Sequence, residues 1–329
     1  MTVIEMRGLR KEFTVRVRAG RLRRTKRTVA AVDGVDLGVA EGEMVGYIGP
    51  NGAGKSTTLK MLTGVLTPSA GHVSVCGLAP VPQRTKLALR IGVVFGQRSQ
   101  LWWDLPLRES FMLLRHIYRV PAADHAARLR RCRQLLDLDE FLDTPVRQLS
   151  LGQRMRGELT AALLHGPKVL FLDEPTIGLD VTSKQAVRSF LAELGAAGDV
   201  TLVLTTHDLA DIERLCHRLV VIDHGRVVHD GTIEALHERY GSRRRLVVDL
   251  RTPLPAGFAL TGATLATVEA DGHRVAFDLE SAEAGTVVAE LVAAAEIRDL
   301  ALVEPDIEDV VARLYASAVP REPAPSRES

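Results

Sequence analysis

Up to about residue 240 the chain alternates short apolar runs with amphipathic stretches. The runs are "VIEMRGL" (3–9), "EMVGYIG" (43–49), "RIGVVFG" (90–96), "KVLFLD" (168–173), "VTLVLTTH" (200–207) and "RLVVIDHGRVVHDG" (218–231). Helical spacing governs "GKSTTLKMLTGVL" (54–66) and "RMRGELTAALLHG" (154–166), and packing faces of the same period recur at 129–143 and 183–194. Apolar strands that alternate with helices predict an α/β fold around a mainly parallel sheet covered on both faces. From about residue 243 the pattern changes to "RRLVVDL" (244–250), "HRVAFDLE" (273–280), a helix near 284–296 and "EPDIEDVVARLYA" (304–316). That reads as a second, small α+β domain. The polar, Pro-rich end "REPAPSRES" (321–329) is expected to be disordered.

Composition narrows the class. The 329 residues suffice for one large and one small domain, and a net charge of +1 gives no overall pull toward nucleic acid or membrane. Cys76, Cys132 and Cys216 lie far apart, without metal or disulfide spacing, and read as small residues of a reduced core. No apolar run reaches the ~20 residues of a membrane span, and "MTVIEMRGLRKEF" carries no apolar signal region.

Two stretches suit phosphate. "GPNGAGKST", Gly49 to Thr57, fits G-x-x-x-x-G-K-[ST] between a strand and a helix. Glycines 49, 52 and 54 let the loop fold round phosphates, and backbone N–H groups of Asn51, Gly52, Ala53, Gly54, Lys55, Ser56 and Thr57 are expected to point inward. Lys55 can reach the β- and γ-phosphates of a nucleoside triphosphate, and the Ser56 hydroxyl can ligate Mg²⁺. Far downstream, "QLSLGQRMRGEL" (148–159) resembles a helix start built for an anion, with Ser150 as N-cap and no side chain at Gly152. A protein with one nucleotide needs only one of these.

Strand ends supply the remaining chemistry. In "VLFLDEP" (169–175), Asp173 leaves the buried strand where ligands of open α/β sheets sit, placed to hold Mg²⁺. Glu174 follows and can polarise an attacking water, while His207 occupies the equivalent place after "VTLVLTT" and can donate to a γ-phosphate.

The order "GPNGAGKST", "FGQ" (95–97), "LSLGQ" (149–153), "LFLDEP", "GLD" (178–180), "TTHD" (205–208) resembles the ATP-binding cassette of ABC transporters, over residues 1–241. The resemblance implies a P-loop NTPase cassette with a helical subdomain at 97–165, followed by an accessory domain at 242–316 and a tail at 317–329. It also explains the second anion site. Cassettes of this family pair head to tail, so that the signature helix of one caps ATP held by the other. By that resemblance Phe13 stacks on adenine, Gln97 touches Mg²⁺ and the attacking water, and Ser150, Gly152, Gln153 and Asp180 reach across the dimer. Leu151 stands where the family usually has Gly; were its φ positive, the strain would cost roughly 1–2 kcal/mol.

Two further stretches concern partners. "RVRAGRLRRTKR" (16–27), the heart of an insertion at 16–28, holds seven basic residues and no acid. It reads as a solvated hairpin, or as an arm facing anionic lipid headgroups; without interleaved aromatic residues it does not read as a nucleic-acid site. Trp102 and Trp103 lie in "GQRSQLWWDLPLRESFMLLRHIYRV" (96–120), which in the family meets the permease. One tryptophan is expected in the core and at least one at an interface. The layout is similar to bacterial exporters of drugs, sodium ions or viologens, whose ATPase is a peripheral chain on the cytoplasmic side of the membrane. An importer ATPase and a regulatory ATP-binding scaffold are the alternatives. An identical second cassette and a separate transmembrane permease are the implied partners, with ATP and Mg²⁺ as cofactors.

Overall fold

The computed structural model describes residues 1–18, 24–96, 98–240, 244–255, 258–279, 284–303 and 307–317. Gln97, the insertion's residues 19–23 and all of the expected tail at 317–329 except Ser317 therefore lie outside the described residues, and Ser317 ends a helix instead. Two compact units divide between Ile233 and Glu234.

The first unit begins with β1 (Thr2–Arg18), β2 (Arg24–Ala40), β3 (Met44–Ile48), α1 (Lys55–Leu62) and β4 (Ala70–Val75). Next come α2 (Arg84–Ala88), β5 (Ile91–Phe95), α3 (Leu107–Ile117), α4 (Ala122–Leu136) and α5 (Leu151–Leu163). It closes with β6 (Val169–Asp173), α6 (Val181–Ala197), β7 (Thr201–Thr205), α7 (Leu209–Leu215), β8 (Arg218–Asp223) and β9 (Arg226–Thr232).

Six strands form the expected sheet in the order β5-β6-β7-β3-β8-β9. All neighbours are parallel except β8 and β9, which form a hairpin. Its central strands are buried along nearly their whole length, as a sheet covered on both faces requires. The order brings the C-terminal ends of β3, β5, β6 and β7 together at one edge.

The first apolar run does not join this sheet. β1 pairs antiparallel with β2 and β4 in a separate three-stranded sheet. The reason lies in its alternation: Ile4 and Met6 are buried while Arg7 is exposed, the pattern of a strand packed on one face only. Ile4, Met6 and Leu9 share a core with Tyr47 of β3, Leu59 of α1, Phe171 of β6 and Val203 of β7. Each such buried side chain contributes about 1.5–3 kcal/mol. β1 and β2 continue pairing past that core, down to Arg18 opposite Arg24, so the described part of the basic insertion is an antiparallel pair of strands.

The helical pattern at 129–143 breaks at Asp137, which caps α4 with φ 44°. Leu138, Phe141 and Leu142 keep their burial in the turn that follows.

In the second unit, α8 (Ile233–Tyr240) spans the division, followed by β10 (Arg245–Leu250), β11 (Ala263–Glu269) and β12 (Arg274–Leu279). α9 (Ala284–Ala294), β13 (Ile297–Val303) and α10 (Ile307–Ser317) complete it. Its four strands run antiparallel in the order β11-β12-β10-β13. Leu246, Val248, Phe277 and Leu279 form its core with Val287 and Leu291 of α9.

Candidate functional site

A cavity of about 770 Å³ opens at the strand ends of the parallel sheet. Residues 50–57 form one wall, and Phe95, Gly96, Arg98, Asp173, Glu174 and His207 form others. Gly54 begins α1 with φ 109°, and a Cβ there would stand 2.4 Å from the Ala31 carbonyl, so no other residue fits. No side chain caps this helix start and no acid sits in its first turn, which leaves its positive end open to the cavity. The Ala53 N–H closes a turn onto Pro50 O (3.1 Å), so the inward set of N–H groups is one smaller than expected. Lys55 Nζ donates to the carbonyls of Gly49 (2.5 Å) and Pro50 (3.3 Å). Burial pushes its pKa down, against the pull of Glu174 and Asp173. A buried ammonium whose hydrogen bonds go to neutral carbonyls is a strong attractor for an anion.

The two carboxylates are held differently. Asp173 Oδ1 accepts from Thr205 Oγ1 (2.6 Å) and lies 3.5 Å from Ser56 Oγ. Hard oxygen donors facing one cavity suit a small divalent cation. Glu174 adopts φ 56°, unusual for a residue with a side chain, and its N–H is tied to Thr205 O (2.9 Å). That fixes its carboxylate on His207: Oε2 lies 2.7 Å from the ring Nδ1 and 3.3 Å from the backbone N–H. The flanking Gly96 and Arg98 line the cavity; Gln97 itself is not described. Phe13 lies half exposed on β1 opposite Val29, with Lys11 Nζ 5.2 Å from its ring centre. The cavity wall takes Ala31 of β2 rather than Phe13.

The second anion-type stretch stands apart from this cavity. Ser150 caps α5 and accepts from the Gln153 N–H (3.2 Å), while Gln153 Oε1 accepts from the Ser150 N–H (2.9 Å). Both side chains thus serve a capping box. Gly152 is glycine for a reason absent from the sequence reading: a Cβ there would meet Ser183 Oγ at 2.0 Å. Ser183 is held in turn by Asp180, which caps α6 and accepts from the Ser183 N–H and hydroxyl, both at 2.8 Å. Those bonds hold the Asp180 pKa below the usual carboxylate range. Leu151 begins the regular helix and is not among the positive-φ residues, so the conditional strain does not arise.

Sequence reasoning missed the charged network behind the carboxylates. Thr176, just past Glu174, donates to the buried Asp211 of α7 (2.6 Å), whose other oxygen accepts from Arg188 of α6. Lys184 and Arg188 also bind Asp208, the residue after His207. Asp208 raises its pKa on burial, but Lys184 and then Arg188 outweigh that and leave it lowered. The trace in the sequence is the pair Lys184 and Arg188, one turn apart on α6 and indistinguishable there from a solvated face. Arg188→Met leaves Asp211 buried without its cation. We expect a loss of about 3 kcal/mol in urea unfolding; an unchanged midpoint would show the pair to be idle.

Trp102 and Trp103 are both exposed, 37% and 53%, so the expected core tryptophan does not exist. Leu101 and Leu107 take the buried places. The Trp102 N–H donates to Ser110 Oγ (3.2 Å), and the Arg154 guanidinium lies 5.9 Å from the Trp103 ring centre. Met112 and Ile117 of α3 are also exposed.

The family model described as "ABC transporter" matches residues 32–177. The chain is 36% identical over 288 residues to a daunorubicin resistance ATP-binding protein of Streptomyces coeruleorubidus, covering 86% of this chain and 90% of that one. With the Nod factor export ATP-binding protein I of Paraburkholderia xenovorans it shares 41% over 206 residues, 62% of this chain and 67% of that one. A dimeric ATP-binding cassette solved after hydrolysis, bound to ADP and Pi, aligns with a TM-score of 0.60 at 26% identity. That alignment covers 70% of this chain and 98% of the other. A cassette from Clostridium perfringens, part of a larger transporter complex, aligns with a TM-score of 0.60 and 26% identity over 72% of this chain and 92% of its own.

Proposed function

We infer that this chain, which belongs to the ABC transporter family as an ATP-binding and ATP-hydrolysing cassette, powers an exporter whose permease is a separate chain. The observation that carries the catalytic part is one cavity walled by the loop 50–57, Asp173 and the Glu174–His207 pair. Relatives named for Nod factor export and daunorubicin resistance support export, and the dimeric relative supports work in pairs.

In this reading Gly49, Asn51, Gly52, Gly54 and Thr57 cradle the phosphates, which replace the carbonyls now bound by Lys55, while Ala53 holds the turn of the loop between them. Ser56 and Asp173, with Gln97, would hold Mg²⁺, whose charge offsets that of the β- and γ-phosphates. Glu174 orients the attacking water and takes its proton. His207 donates to the γ-phosphate; serving that anion and Glu174 together takes an N–H on both ring nitrogens. Phe13, exposed on β1, would stack on an adenine that extends beyond the cavity. Ser150, Gly152, Gln153 and Asp180 face the nucleotide of a second, identical copy, so each bound ATP adds to closure and hydrolysis reopens the pair. That supports a peripheral place on the cytoplasmic face of the membrane.

The exposed Trp102, Trp103, Met112 and Ile117 form the surface we assign to the permease. Among the described residues no helix is long and apolar enough to cross a membrane. Truncating central interface tryptophans costs about 2 kcal/mol or more, roughly thirty-fold in affinity. Trp102→Ala/Trp103→Ala should therefore lose co-purification with the permease and transport, with the cassette's melting temperature and ATP binding intact. Normal assembly and transport by that variant would remove this surface from the coupling path.

A further inference from the structure

The loop leaving β5 toward α3 is tied to α5 by one acidic side chain. Ser99 Oγ donates to Glu158 Oε1, and the Gln100 N–H donates to Oε2 at 3.2 Å. Gln100 Nε2 reaches the Glu158 carbonyl at 3.3 Å, and the Leu101 N–H turns back onto Ser99 Oγ at 3.1 Å. Glu158 is only 5% exposed, two turns along α5 from Ser150. Next to it Gly157 lets the helix press on that loop and on the start of α3: a Cβ there would lie 3.2 Å from Leu101 Cδ1 of the loop and 2.9 Å from Leu107 Cδ1 of α3.

A carboxylate is a poor choice for packing this helix. Burial pushes its pKa up, and hydrogen bonds from Ser99, Gln100 and Leu101 pull it down without reversing the shift. Its acceptors are filled by neutral donors of one loop, and an apolar side chain of similar volume would commonly be as stable. What the carboxylate supplies is connection. On one side the loop starts at the cavity wall, where Gly96 and Arg98 stand; on the other it carries Trp102 and Trp103 to the exposed surface.

We propose that Glu158 is a positioning residue that joins the loop 98–101 and α5 into one body, so that a nucleotide-driven shift at the cavity wall moves Ser150 into place for the second copy. The proposal rests on the two-copy reading above. It predicts a split between binding and turnover, because Glu158 touches neither the cavity nor the loop 50–57.

The test uses the full chain with Glu158→Met, which keeps length but accepts nothing, and Glu158→Gln. In the Gln variant the amide oxygen still accepts from the Gln100 N–H, and the amide N–H can donate to Ser99 Oγ. Affinity for a fluorescent ATP analogue, kcat and KM are measured, with ATP-dependent dimerisation followed in a Glu174→Gln background. For Glu158→Met we expect analogue affinity and KM within about twofold of wild type, and kcat and dimerisation lowered about tenfold or more. Glu158→Gln should recover both to within about threefold. Should Glu158→Met fail to fold, Ser99→Ala removes one donor from the loop side and must show the same split. Wild-type kcat and dimerisation in Glu158→Met, or a parallel fall of affinity and kcat, overturn the proposal. If the chain with Glu158 intact and Glu174→Gln does not dimerise with ATP, the two-copy reading falls and takes this proposal with it. If that chain dimerises and Glu158→Met matches it, the Glu158 proposal falls alone.

Discussion

Glu174→Gln is expected to keep ATP and lose turnover by about 10²–10⁴-fold, the contribution of a positioned general base. The amide matches the carboxylate in shape, and its oxygen can still accept from the His207 N–H, which now lies 3.3 Å from Glu174 Oε2. The backbone anchor, the Glu174 N–H on Thr205 O, is untouched. The fold and the cavity should therefore persist, and the melting temperature should stay near that of the wild type. Removing one negative charge from the cavity that receives the γ-phosphate also removes a repulsion, so ATP affinity should hold or rise. With two ATP bound and no hydrolysis, the paired state accumulates. Size-exclusion chromatography with Mg-ATP then shows a dimer, and phosphate release falls to background. Phosphate release at near wild-type rate would dismiss Glu174 as the base and return attention to His207.

Much of this site could be read before any coordinates, because its parts are local. "GPNGAGKST" needs only a strand before it and a helix after it, and Met44–Ile48 and Lys55–Leu62 provide them. Asp173, Glu174 and His207 follow apolar strands, and parallel order alone carries such ends to one edge. What escaped depends on register and on partners distant in the chain. Beyond the core-packed part of the β1–β2 pair, residues 12–15 and 26–30 are all exposed, so the described side chains there show no strand pattern. A second reason for glycine at 152 could not be read either: a Cβ there would meet Ser183, thirty-one positions on. Adjacent tryptophans suggested one inward and one outward. A turn from Trp102 O to the Leu105 N–H presents both outward instead, with Leu101 and Leu107 buried on either side. Arg188 and Asp211 carry opposite charges on separate helices, and nothing local to either predicts the pair.

The Ser150 cap raises a question that mutation can settle, since its hydroxyl and Gln153 already satisfy each other within one chain. A purely structural cap would cost about 0.5–2 kcal/mol when removed and nothing else. A capping box leaves further donors, because the Ser150 hydroxyl still carries its proton and the first turn of α5 still presents N–H groups. Ser150→Ala separates the two roles: it removes the cap and adds no bulk. Ser150→Arg adds a long cation at the helix start, on the surface that the second copy would approach. We expect Ser150→Arg to bind ATP, remain monomeric and lose turnover, while Lys55→Ala loses its own nucleotide. Mixed together, the two variants can form one sound composite site. The cavity of the Ser150→Arg chain faces the unaltered Ser150 of the Lys55→Ala chain, whereas the opposite site carries both defects. Light scattering with Mg-ATP should then show dimers only in the mixture, with one nucleotide per pair. Ser150→Ala should fall between, dimerising more weakly in step with its lost cap. If Ser150→Arg alone dimerises and hydrolyses ATP normally, α5 serves only its own chain, and the second anion-type helix start is a matter of folding.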